Sequence, residues 1–138
     1  MAERSPVWGW TVNWSAVLAG FFISVAVAIF LGILMAIAGI MITVAWALII
    51  GIVSVLIGSY FTGLLTPGAG VYNGLLVAVL GIVFGFVLML LLGGTFTLPL
   101  TAGTADSVTF LIGFVVQLLS GAVGGLLGER STYMMRRT

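Results

Sequence analysis

From Ser5 to Ala105 the chain contains no aspartate, glutamate, lysine or arginine. An ordinary soluble domain carries roughly 25% charged residues, and a run of roughly 100 residues with none could not cover a surface that faces water. Hydrocarbon removes the difficulty. A helix crosses it with about 20 apolar residues, so the stretch holds three crossings with their turns, and a fourth follows Asp106. Over all 138 residues, 62% are hydrophobic and 5% are charged. The expected fold is all-α: an integral membrane bundle of four transmembrane helices in two antiparallel hairpins, with helix interfaces rich in Gly, Ala and Ser.

Local signals divide the chain. Residues 1–13 form an aromatic leader, 14–128 the four-helix domain, and 129–138 a basic tail. Helices are expected at about 14–38, 42–65, 71–92 and 106–128. Asn13 or Ser15 can cap the first. No polar break separates the first two crossings, so a tight hairpin must lie near Gly39. Thr66-Pro67-Gly68-Ala69-Gly70 is the clearest turn. Gly93 to Ala105 reads as a loop, with Pro99 blocking a continuous helix. Asp106-Ser107 opens the last helix, the carboxylate favoured by the positive end of its dipole. Ala36-Ile37-Ala38 has the small-x-small form of a signal cleavage site. The apolar run before it is too long for a signal core, and Glu3 beside Arg4 is not a basic leader.

The first crossing carries a ladder of small residues at every fourth position: Ala16, Gly20, Ser24, Ala28, Gly32 and Ala36. In lipid such rows let two helix backbones approach closely. Each four-residue step rotates by about 40°, so the ladder drifts by about 200° along its length. One neighbour cannot use all of it. Ala16, Gly20 and Ser24 should meet one helix, and Ala28, Gly32 and Ala36 another. Further packing positions are Gly74 and Ala78 in the third helix and Gly121 and Gly125 in the fourth.

The few charges suggest an orientation. Arg4 precedes the first helix, and Arg130, Arg136 and Arg137 follow the last. Cytoplasmic flanks gather arginine, which puts both termini in the cytoplasm of a prokaryotic inner membrane and requires an even number of crossings. Trp8, Trp10, Trp14, Trp46, Tyr60, Tyr72 and Tyr133 fall where interfacial belts belong. The three arginines of the tail suit lipid headgroups. Trp14-Ser15-Ala16-Val17-Leu18 is echoed by Tyr72-Asn73-Gly74-Leu75-Leu76, and Gly63-Leu64-Leu65 by Gly125-Leu126-Leu127. These pairs suggest a duplicated hairpin, its halves related by an axis along the membrane normal.

Composition also narrows the chemistry. With a net charge of +1 there is no electrostatic case for nucleic acid. Cysteine and histidine are absent, which removes disulfides, thiolate nucleophiles, imidazole catalysis and the usual zinc and haem ligands. No intramembrane acid or base is present for a proton relay. No nucleophile–base pair stands out, so the chain reads as non-catalytic and without a cofactor. Gln117 is the outstanding polar residue, near the middle of the last helix, with Ser54 a weaker second. A polar side chain at that depth is costly. Gln117 either bonds to Ser24, Ser54 or a backbone carbonyl, or it serves a ligand, a pore or a partner.

With the helices placed, Trp10-Thr11-Val12-Asn13-Trp14-Ser15-Ala16-Val17-Leu18-Ala19-Gly20 resembles the "xNWxAVLxG" opening of small prokaryotic four-helix membrane proteins of unknown function. Gly58 to Gly68 and Tyr72 to Ala78 are similar to the second-to-third helix junction of those proteins. They commonly have Gly-Gly before an aromatic residue, where this chain has Gly58-Ser59. The resemblance spans about residues 10–90 and implies only the four-helix architecture. The expected function is a structural or accessory subunit packing against a larger membrane complex. A homo-oligomeric pore is the alternative, and a pigment- or lipid-binding protein using the tryptophan cluster comes third. The partners expected are membrane lipids and other membrane subunits or further copies of the chain.

Overall fold

A computed structural model describes residues 12–41, 43–91 and 107–135. Four helices follow in order: α1 (Trp14–Ile37), α2 (Val44–Leu65), α3 (Gly70–Leu91) and α4 (Ser107–Met135). Each is long and apolar enough to cross a membrane. The chain is thus an all-helical, multi-pass membrane bundle. Its near end holds the start of α1, the α2–α3 turn and the finish of α4. The far end holds the α1–α2 turn.

Both described turns rest on a glycine with positive φ, a conformation that an L side chain resists. At the far end α1 finishes in a Schellman motif. Gly39, at φ 67°, donates to the Ala36 carbonyl (3.1 Å), and Ile40 donates to that of Met35 (3.0 Å). The two bonds satisfy carbonyls that the helix end would otherwise orphan in an apolar environment. At the near end the Ala69 amide donates to the Thr66 carbonyl (3.1 Å) across Pro67 and Gly68, the latter at φ 92°. Pro at the second place and a positive-φ Gly at the third are the marks of a type II turn.

α2 and α3 form the central pair. α1 lies against both on one side and α4 against both on the other; α1 and α4 do not touch among the described residues. The backbones meet where side chains are missing. A methyl on Gly20 would strike the Thr62 hydroxyl and the Gly58 carbonyl, and one on Gly58 would strike the Gly20 carbonyl. Gly74 and Gly121 make the same reciprocal contact between α3 and α4, with the Ala78 methyl beside Gly121. Glycine contacts thus close both hairpins, but not at the positions that the sequence echo aligns, for its offset matches Gly58 to Ser120 and Thr62 to Gly124. The likeness stops at the centre, where α2 touches α3 but α1 does not touch α4.

The parallel pair α2/α4 uses another device. Ser120 donates to the Ile52 carbonyl (2.8 Å) and Thr132 to the Leu64 carbonyl (3.2 Å). Between them Gly124 and Gly128 lie against the carbonyls of Leu56 and Tyr60. Four successive turns of α4 thus offer a small residue to four successive carbonyls of α2. Such rows gain dispersion and weak Cα–H···O contacts rather than hydrophobic transfer energy, which hydrocarbon does not supply. The buried apolar cluster is correspondingly small: Val17, Phe21 and Val77, with the Phe21 and Phe84 rings edge to face at 5.4 Å.

Candidate functional sites at the near end and at Gln117

Polar contacts concentrate at the near end. The Asn13 side chain caps α1 by accepting from the Ala16 amide (3.3 Å), and the Ser15 hydroxyl donates to the same oxygen (2.6 Å). Asn73, on α3 and fully buried, accepts from the Asn13 amide (3.2 Å) and donates to the Ala69 carbonyl (3.1 Å). It ties the start of α1 to the start of α3. Thr62 donates to the carbonyls of Ala16 (3.1 Å) and Gly58 (3.2 Å), so a bond between helices sits beside the Gly20–Gly58 contact. Ser59 donates to the Gly74 carbonyl (3.1 Å), joining α2 to α3. Tyr60 donates to the Ser131 hydroxyl (3.3 Å).

The one described carboxylate completes this end. Glu129 reaches from α4 to the α2–α3 turn and accepts from the amides of Gly68 (3.1 Å) and Gly70 (3.0 Å). A helix start leaves its first amides without partners and carries partial positive charge. Glu129 answers both for α3 from a different helix. Gly63 and Gly70 allow the approach, for a methyl on either would strike the Gly125 carbonyl, with Glu129 atoms close behind.

This contact corrects the expected end of the last helix. α4 does not stop at Gly128 but continues through Glu129, Arg130 and Tyr133 to Met135. Its 29 residues rise about 44 Å, longer than the roughly 30 Å of hydrocarbon. Tertiary bonds hold the extra turns, since Glu129, Ser131 and Thr132 all engage α2 or the α2–α3 turn. Arg130 is exposed on this extension. Arg136 and Arg137 lie outside the described residues, as do Trp8, Trp10 and Asp106. Trp14, half-buried Tyr60 and Tyr72, and Tyr133 all sit at the near end, with Trp46 at the far end.

The ladder on α1 divides as its drift requires, with a different outcome for each half. Ala16, Gly20 and Ser24 are buried against α2. Ala28 and Gly32 are half-buried and Ala36 is exposed, and nothing described lies within 4 Å of a methyl placed on Gly32. The second neighbour expected for this half is not among the described helices.

Gln117 is half-buried on α4, about 15 Å from the start of that helix. Its amide lies between α2 and α3: the oxygen is 3.9 Å from where a Gly51 methyl would be, and the nitrogen 3.7 Å from a Gly81 methyl. Neither expected serine reaches it. Ser24 donates to the Phe21 carbonyl (2.7 Å) and Ser54 to that of Ile50 (2.6 Å), each within its own helix, the usual habit of serine in an apolar helix. Among the described residues no group of three His, Cys, Asp or Glu side chains is placed to hold a metal. The hydroxyls of Ser24, Ser54, Ser59, Thr62, Thr66 and Ser120 each donate to a backbone carbonyl, not to a base.

Comparison with protein families, with curated proteins and with solved structures finds no match to this chain. What the fold defines is a multi-pass bundle of close-packed helices with almost all of its described mass in the spans.

Sequence reasoning passed over Asn73 and Glu129; it offered Ser59 only as a weak candidate, and Thr62 and Ser120 only as members of small-residue rows with Gly58 and with Gly124. One signal was available. Thr62 stands on the row Ser54, Gly58, Thr62, so it faces whatever Gly58 faces. Nothing in the sequence says that Glu129 reaches a turn more than fifty residues away.

Proposed function

We propose that this chain is a non-catalytic subunit that packs against a larger assembly in a prokaryotic inner membrane, with both termini cytoplasmic. The observation that carries the reading is the far half of α1. The ladder that seats α2 so closely through Gly20 continues to Gly32 and Ala36; nothing described lies within 4 Å of a methyl placed on Gly32, and Ala36 is exposed. A glycine costs a helix about 1 kcal/mol relative to alanine, and no described residue makes use of the space that Gly32 leaves. A second membrane helix would use it. Because the internal hydroxyls are bonded to internal carbonyls, the chain suits support of a neighbour better than chemistry of its own.

The homo-oligomeric pore has less support. At the near end the helices meet backbone to backbone through Gly58, Gly74, Gly121 and Gly125, so a pore would have to run between copies. The test is extraction in a mild detergent from native membranes, for wild type and Gly32→Leu. The expected result is a stoichiometric membrane-protein companion that Gly32→Leu releases while its own bundle stays folded. A wild-type chain that elutes alone, or a companion indifferent to Gly32→Leu, overturns the reading.

A further inference from the structure

We infer that the Gln117 amide is the recognition group of an intramembrane site for a small neutral lipophile bearing a hydroxyl or carbonyl group. Three observations converge on it. The first is the state of the amide. Every buried polar side chain of the spans has a hydrogen-bond partner in the bundle, whereas the half-buried Gln117 has no bond to another described residue, at a depth where a polar group is costly. An amide has two donors and an acceptor oxygen with two lone pairs. A hydroxyl or a carbonyl satisfies part of that set, and an alkyl chain does not.

The second observation concerns the two flanking glycines. At Gly20, Gly58, Gly63, Gly74, Gly121, Gly124 and Gly128 an added methyl would strike a neighbouring helix's backbone. At Gly51 and Gly81 it would meet only the amide of Gln117, at ordinary contact distance. Helix packing therefore does not explain these two glycines. They are half-buried, and they leave space on both sides of one polar group.

The third is the direction of access. Towards the near end the junction of α2, α3 and α4 is closed where Ala78 lies against Gly121 and fully buried Ser59 against Gly124. Gln117, Gly51 and Gly81 are themselves half-buried rather than enclosed, so the site opens at its edge to the acyl chains. An occupant enters sideways, from the acyl chains. That route selects a neutral molecule already dissolved in lipid rather than an ion, which would need a charged or carbonyl-lined path. The site is separate from the open half of α1, and the two proposals fail independently.

The experiment uses the purified full chain in detergent and an eight-carbon alcohol carrying a photoactivatable diazirine. Labelled positions are read by peptide mass spectrometry. On the wild-type protein, labelling should cluster on α2, α3 and α4 around Gly51, Gly81 and Gln117. It should be competed by 1-octanol but not by octane. Gln117→Leu, which keeps the volume and removes the amide, should reduce it by about fivefold or more, the worth of one neutral hydrogen bond. The paired change Gly51→Ala and Gly81→Ala, which the spacing accommodates, should reduce it with the amide intact. Gel filtration and helical circular dichroism check that each variant folds. Labelling spread evenly over lipid-facing residues, equal competition by octane, or no effect of Gln117→Leu overturns the proposal. So does a Gln117→Leu protein that changes oligomeric state but not labelling, for the amide then faces a second copy.

Discussion

At the scale of single residues, the most informative contact is the carboxylate of Glu129 on the amides of Gly68 and Gly70. Charge-assisted bonds to helix-start amides contribute about 1.5–3 kcal/mol, roughly twice a neutral bond. Glu129→Gln keeps one amide oxygen as acceptor but turns a donor group towards a second donor and removes the charge that the α3 dipole favours. The expected outcome is a loss of about 1–2 kcal/mol in reversible unfolding from detergent micelles, with Glu129→Ala losing more. Equal stability of wild type and Glu129→Gln would mean that solvent, not the carboxylate, satisfies those amides. None of this was legible beforehand. Glu129 follows Gly128 and precedes arginines, and a Gly followed by charged residues reads as the end of a span. Gly128 instead serves close packing against the Tyr60 carbonyl, so the stop signal was really a contact signal. Gln117, by contrast, was plain in the sequence as a polar residue in an apolar run. Its neighbours were not, because the rotation of α4 about its axis is set by Gly121, Gly124, Gly125 and Gly128 together.

At the scale of elements, α1 contains its own control. Gly20 and Gly32 stand on one ladder, three turns apart, and the sequence gives no reason to treat them differently. The structure does: a methyl on Gly20 collides with backbone and hydroxyl, while one on Gly32 meets nothing described. Gly20→Ala should cost about 2–3 kcal/mol in the isolated bundle, the range of an overpacked contact, and Gly32→Ala should cost nothing or stabilise by up to about 1 kcal/mol through helix propensity. Unfolding of the two variants side by side in detergent checks this, and similar losses for both would place a third neighbour on α1. Helix existence, number and approximate bounds were legible because lipid allows few ways to satisfy a backbone. The Gly39 and Gly68 turns were legible from their glycines. The drift of the ladder was also legible: its first half meets α2, while the neighbour expected for its second half is not among the described helices, and a sequence cannot say whether it belongs to the same chain.

At the scale of the whole molecule, the polar ties between the described residues gather at the near end. Asn13, Asn73, Thr62, Ser59 and Glu129 tie all four helices together beside the termini of the bundle. Towards the far end, α1 beyond Ser24 has no buried residue. A partner seated on α1 and a lipophile at Gln117 would both engage the part of the bundle that its own bonds hold least. All of this requires that four helices cross the membrane. Because the chain has no native cysteine, single cysteines can be read without background. The decisive measurement places one at Pro67, at Tyr133 or at Ala38, all exposed and outside the packed rows, and reacts sealed vesicles of known sidedness with a membrane-impermeant maleimide. The expected result is that Pro67→Cys and Tyr133→Cys label from one side and Ala38→Cys only from the other. Labelling of all three from the same side would contradict the four-span bundle.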